Sequence, residues 1–216
     1  MGTGEVNYQV YQETMILLDP GHGYNTKGKR SPVWKDGSQL FEWEFTRDVV
    51  RRLHGKLMLY DVPSMVLVRE AYDVSLQERV DRANRIYKES KNTFVVSIHG
   101  NAAPKEKQGR AEGWEVWTSP GQTESDKIAT IIYDQACITL KDFKMRHDYF
   151  DGDPDKEAKF KILIDTKCPA VLTENLFYDN EKECKFMLSD FGRETIANLH
   201  LFAILRYLQL KGLYHL

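Results

Sequence analysis

Two histidines of this chain stand where apolar runs end, His22 in LLDPGHG and His99 in VVSIHGNA. Each run reads as a β-strand, so both imidazoles fall at strand termini, where open α/β sheets form their ligand crevices. VLTEN sets Glu174 at the tip of a third strand, and Glu42 lies in the opening turn of the helix that follows the His22 turn. Two imidazoles and a carboxylate suit zinc, and three protein ligands leave the fourth tetrahedral position open, which makes such a site catalytic. Zinc lowers the pKa of bound water from about 15.7 towards roughly 7 and polarises a carbonyl oxygen. The chemistry then lacks only a base that passes the water proton to a leaving amine, and Glu174 on its own strand tip suits that task.

These side chains need a layered scaffold. Apolar β-branched runs alternate with stretches of helical period, which predicts an α/β domain. Strands are expected at Met15 to Leu18, Ser64 to Val68, Thr93 to His99, Trp114 to Thr118, Ile162 to Ile164 and Ala170 to Glu174. Helices are expected from about Phe41 to Tyr60, Ser125 to Leu140, Asn180 to Leu188 and Phe191 to Lys211, the last burying Ile196, Leu199, Phe202, Ala203, Leu205 and Leu208. Another helix starts at Ser75, an N-cap with Glu78 three residues on, and should bury Leu76, Val80, Ala83 and Ile86. Arg146 to Lys159, with HDYFDGDPDKE, reads as a surface loop near a functional edge.

The 216 residues hold one domain with a full core, and 42% hydrophobic with 29% charged residues excludes disordered, collagen-like and membrane-spanning classes. A net charge of -2 leaves no basic surface for a phosphate backbone, so nucleic acid is not expected as a partner. Cys137, Cys168 and Cys184 show no CxxC spacing, which argues against both a disulfide framework and a thiolate zinc site. MGTGEVNYQVYQE has neither a basic n-region nor an apolar h-region, so synthesis in the cytoplasm without an export signal is expected.

DPGHG, the Glu of FEWEF, SIHGNA and PAVLTENLFYDN, in that order, resemble the blocks of the zinc-dependent N-acetylmuramoyl-L-alanine amidases of the amidase_3 type. The resemblance runs from about Met15 to the last helix. It implies an extension over residues 1–14 and a catalytic domain over 15–212. The fold implied is a single α/β domain, with a mixed, roughly six-stranded sheet, helices on both faces and a Zn2+ site at the strand C-terminal ends. It assigns His22, Glu42 and His99 as zinc ligands and Glu174 as the catalytic acid/base. The reaction implied is hydrolysis of the amide between N-acetylmuramic acid and L-alanine in peptidoglycan, by a monomeric phage-type or other cell-wall lytic enzyme acting in the wall or periplasm after release. A zinc peptidase or deacetylase acting on another amide, and a wall-binding protein that keeps the fold without turnover, are the rival readings.

Glu44 competes with Glu42, but the two point about 200° apart on a helix, so one alone can face the metal, and the motif selects Glu42. Family members commonly carry Asn where Thr46 stands, which bears on local hydrogen bonding. RVDRAN, with Arg79 and Asn84, matches a further block of structural character. Asp19 and Asn101 either orient the histidines or only shape turns. His54, His147, His200 and His215 are not expected as ligands, although His147 sits in a loop that can reach substrate. Trp34, Trp43, Trp114 and Trp117 offer sugar-stacking faces or core bulk. Lys27, Lys29 and Arg30 form either a carboxylate-binding run or a solvated loop.

Overall fold

The computed structural model describes residues 14–214, so the expected extension lies, but for Thr14, outside the described residues, as does His215. Strand β1 (Met15–Pro20) opens a six-stranded sheet of order β2-β1-β3-β6-β4-β5. Its parallel half comprises β2 (Ser64–Val66), β1, β3 (Thr93–Asn101) and β6 (Ala170–Phe177). β4 (Glu115–Thr118) adds antiparallel to β6, and the short β5 (Lys156–Glu157) pairs with β4. The sheet is therefore mixed and six-stranded, as the resemblance implies.

Alternation along the strands sorts side chains between two cores. Ile16, Leu18, Phe94, Val96, Ile98 and Val171 face the larger one, built with α1 (Glu42–Leu59), α3 (Glu124–Thr139), α5 (Glu181–Leu188) and α6 (Asp190–Leu210). Leu17, Val95, Ala170 and Leu172 face the smaller one, covered by α2 (Leu76–Glu89) and the one-turn α4 (Lys161–Ile164). Each fully buried aliphatic side chain contributes roughly 1.5–3 kcal/mol. Because two short helices cannot span their face, a cleft of about 500 Å³ stays open there. Among the described residues, no helix is long and apolar enough to cross a membrane.

Several local expectations change. β6 runs on to Phe177 and β3 to Asn101, so Glu174 and His99 lie inside their strands and not at the tips. The run Ile162 to Ile164 is helical rather than extended: Ile162 and Leu163 are both buried although consecutive, which a half-covered strand does not allow. A three-residue apolar run carries too little periodicity to separate the two. Leu76, expected in the core, is 54% exposed and lines the cleft, while Arg79 takes a buried place on the same helix. Phe202 is 45% exposed because its neighbours on α6 already fill the core side. The Ser75 cap is as expected, its side chain accepting the Glu78 N–H at 3.2 Å.

Arg79 ties α2 beneath the cleft. It is 2% exposed and donates from Nη1 to Asp19 Oδ1 at 2.6 Å and to the Pro20 carbonyl at 2.7 Å, and from Nε to the Val74 carbonyl at 2.9 Å. Ser97 Oγ donates to the other Asp19 oxygen at 2.7 Å. Asp19 thus anchors the β1 terminus and touches neither site histidine. Arg79→Ala leaves Asp19 buried without its cation and is expected to cost about 3–5 kcal/mol, measured by urea unfolding. A loss below about 1 kcal/mol, the range of exposed pairs, would contradict this placement.

Candidate metal centre

The three expected ligands come from separate elements and meet at one point. His22 lies in the turn after β1, Glu42 begins α1, and His99 is near the end of β3. Glu42 Oε1 stands 3.4 Å from His22 Nε2 and 3.2 Å from His99 Nδ1, and the two rings meet edge to face with centroids 5.1 Å apart. One donor atom from each residue fits within 4.8 Å of the others.

Backbone geometry explains the DPGHG spelling. His22 adopts φ 60, a left-handed conformation costly for a side chain with a Cβ. Its carbonyl accepts from Arg47 Nη1 at 2.7 Å, which holds the turn in place. A Cβ on Gly21 would stand 2.4 Å from the His99 ring, and one on Gly23 would stand 2.0 Å from the Asp73 backbone nitrogen. Glycine before His22 therefore lets the second imidazole approach, and glycine after it lets the turn pack on the 70–74 segment. Thr46 Oγ1 donates to the Gly21 carbonyl at 2.9 Å, so the departure from Asn keeps a hydrogen bond to this turn.

Glu42 is fully buried at the N-terminus of α1, where the helix dipole and the Gly100 N–H, 3.2 Å from Oε1, favour its negative charge. Burial opposes that charge, but the hydrogen bond and charge of His99 and the charge of His22 outweigh it and hold the carboxyl below its ordinary range. Its second oxygen, Oε2, is buried with no hydrogen-bond partner among the described residues, and Lys29 Nζ remains 3.7 Å away. Burial depresses His22 to about 4, with His99 and Lys29 adding to the effect against Glu42, so its imidazole is neutral and keeps a free lone pair. For His99, burial is the largest influence and lowers the value, yet hydrogen bonding and charge from Glu42 raise it overall. Two imidazoles, a carboxylate and an unsatisfied buried oxygen fit a zinc ion. Glu44 points away, half exposed, towards Arg193 at 3.9 Å.

Glu174 sits beside this group because β6 pairs with β3 in a register that sets it opposite His99. Its Oε2 is buried without a hydrogen-bond partner among the described residues, and burial pushes its pKa up to about 8, opposed by His99 and reinforced by Glu42. Asn175 donates to the His99 carbonyl at 3.0 Å and accepts from Trp114 Nε1 at 2.8 Å, locking the two strands together next to the site. Asn101 reaches Glu115 at 2.9 Å and leaves the histidines alone.

On the other side of Glu174, β4 sets Glu115 directly opposite it. Glu115 is buried and holds Arg146 Nε at 2.5 Å and Lys156 Nζ at 2.7 Å. Sequence reading missed this trio; a glutamate inside the apolar strand WEVW was the available signal, whereas the two loop cations carry none. The cleft runs from His22, His99, Glu174 and Lys29 to an apolar wall that includes Leu76, Phe160 and Leu172. His147 does not line it and packs instead against Tyr149, ring centroids 4.6 Å apart. His200 is a neutral core residue between Thr173 and the Ile196 carbonyl, its pKa depressed to about 4 by burial. Trp114 is fully buried core.

Residues 16–206 match the family model of the N-acetylmuramoyl-L-alanine amidases, Amidase_3. An endolysin of Bacillus phage SPP1 is 28% identical over 200 residues, covering 91% of this chain and 67% of that protein. The N-acetylmuramoyl-L-alanine amidase CwlM of Bacillus licheniformis is 29% identical over 187 residues, covering 86% and 65%. The chain thus spans about two thirds of the length of these curated relatives. The crystal structure of an N-acetylmuramoyl-L-alanine amidase from Clostridium difficile 630 superposes with a TM-score of 0.78 at 25% identity, over 93% of this chain and 100% of that one. A match over nearly the whole described domain, from β1 into α6, places the chain in the Amidase_3 family of N-acetylmuramoyl-L-alanine amidases.

Proposed function

We propose that the chain hydrolyses the amide between N-acetylmuramic acid and L-alanine in peptidoglycan, with His22, Glu42 and His99 holding zinc and Glu174 moving the proton. The observation that carries the reading is the convergence of two imidazoles and a buried carboxylate beside a second buried carboxylate, at the end of an open cleft. When bound, zinc supplies Lewis acidity, polarising a carbonyl oxygen and making water a nucleophile near neutral pH. Glu174, set opposite His99 across the sheet and lining the same cleft, takes the proton of the attacking water as a carboxylate and returns it to the departing alanine nitrogen. Lys29 at the cleft edge offers a cation to the substrate's carboxylates. The lytic role of the phage relative supports a wall-degrading enzyme acting on peptidoglycan outside the membrane.

Digestion of purified peptidoglycan by the zinc-loaded chain, followed by mass spectrometry, tests this. Stem peptides with a free N-terminal alanine and glycan strands with a free lactyl carboxyl are expected. Cleavage at another peptide bond, or release of acetate, would assign the site to the peptidase or deacetylase class instead. Stripping zinc with a chelator is expected to abolish product formation, and adding zinc back to restore it.

A further inference from the structure

A second group of carboxylates lies beyond β4, away from the proposed zinc ligands. Asp126, in the first turn of α3, joins Asp153 and Asp155 from the loop before β5, with one carboxylate oxygen of each within 4.8 Å of the others. Asp126 and Asp155 are 3% and 1% exposed. Oδ1 of Asp155 and Oδ1 of Asp153 are buried, and no N–H or alcohol donor of the described residues reaches either; the two carboxyls face each other.

The donors at hand are too few. Thr118 Oγ1 lies 2.5 Å from Asp155 Oδ2 and 3.2 Å from Asp126 Oδ1, and its one proton serves only one of them. Gln122 donates to Asp153 Oδ2 at 2.8 Å, and the Thr123 N–H and hydroxyl donate to Asp126 Oδ2 at 2.5 and 2.8 Å. Lys156, next to Asp155 in the chain, is committed to Glu115. No lysine, arginine or histidine among the described residues forms an ion pair with any of the three. Burial, then a hydrogen bond to the Asp153 carboxyl and its charge, push the Asp155 carboxyl up to about 8. Buried carboxylates this close require either a shared proton or a cation.

The donors are all hard oxygens, with no imidazole or thiolate, which suits calcium and not zinc. Magnesium usually keeps several waters and takes one or two carboxylates, whereas three protein carboxylates suit calcium. We propose that Asp126, Asp153 and Asp155 form a calcium site that ties the 146–159 loop to β4 and the start of α3. This loop carries Arg146 and Lys156, which hold Glu115 beside Glu174, and it leads into Phe160 and Lys161 of the cleft wall. Calcium here fixes one wall of the cleft without touching the reacting groups.

Titration of the zinc-loaded full chain with CaCl2, by calorimetry and by thermal unfolding, tests the site. One calcium per chain is expected, with Tm rising by about 5 °C or more at saturation, while zinc stays at one per chain. The double variant Asp153→Asn/Asp155→Asn, which relieves repulsion and so should fold, is expected to lose both responses. His99→Ala is expected to keep them, which separates this site from the zinc reading. Lack of binding at roughly 10 mM CaCl2, above the weakest ordinary calcium sites, would overturn the proposal. So would an undiminished response in the double variant, or an equal Tm rise with MgCl2, which overturns the choice of calcium.

Discussion

Glu174→Gln is expected to lower kcat on peptidoglycan about a hundredfold or more, the range for a lost general base, while one zinc per chain remains. Gln keeps the shape of the side chain and cannot accept the water proton. The metal should stay, because the donor group comprises His22, Glu42 and His99 and does not require Glu174. Stability should hold as well, because Glu174 Oε2 is buried with no hydrogen-bond partner among the described residues and Gln keeps the same shape without a charge. Turnover, zinc content and Tm measured on one preparation separate chemistry from folding. Near-parent turnover would remove Glu174 from the mechanism.

His99→Ala is expected to act at the earlier step of holding the metal. Loss of an outer-shell partner typically weakens a site about 10- to 100-fold, and loss of a direct ligand should exceed that. The ring also occupies the space over Gly21 and supplies the Nδ1 contact to Glu42, so its removal leaves Glu42 buried with fewer partners. Zinc retained after dialysis, measured by atomic emission, should fall from about one per chain to a small fraction, and product formation should fall with it. His54→Ala is the matched control, because that ring meets Ser64 Oγ at 2.8 Å and lies on the far part of α1. Full zinc retention in His99→Ala would show that the ligands lie elsewhere.

The site was legible where chemistry coincided with chain punctuation. His22 follows β1 and Glu42 opens α1 as expected, whereas β3 continues to Asn101 and β6 to Phe177, so His99 and Glu174 lie within their strands and not at the tips. Helical rotation allowed only one of Glu42 and Glu44 to face the metal, the motif selected Glu42, and Glu44 does face Arg193. Legibility failed where a side chain's surroundings come from distant segments. Leu76 fits a buried stripe by period, yet the face above it lacks a covering element. The Glu115 trio draws Glu115 from β4, Lys156 from the two-residue β5 and Arg146 from a loop, segments with no shared pattern.

The sequence by itself determined most of the elements and nominated His22, Glu42, His99 and Glu174, because hydrophobic period and turn chemistry are local properties; the helical turn at Lys161–Ile164 and the short β5 escaped it. Tertiary structure alone decided that one oxygen of Glu42 meets both imidazoles, that Glu174 lies between His99 and Glu115, and that a carboxylate cluster closes the 146–159 loop. Those relations depend on strand register and on which helices leave a face uncovered. Both are set by hydrogen bonds and burial between segments far apart in the chain, where local pattern carries no information.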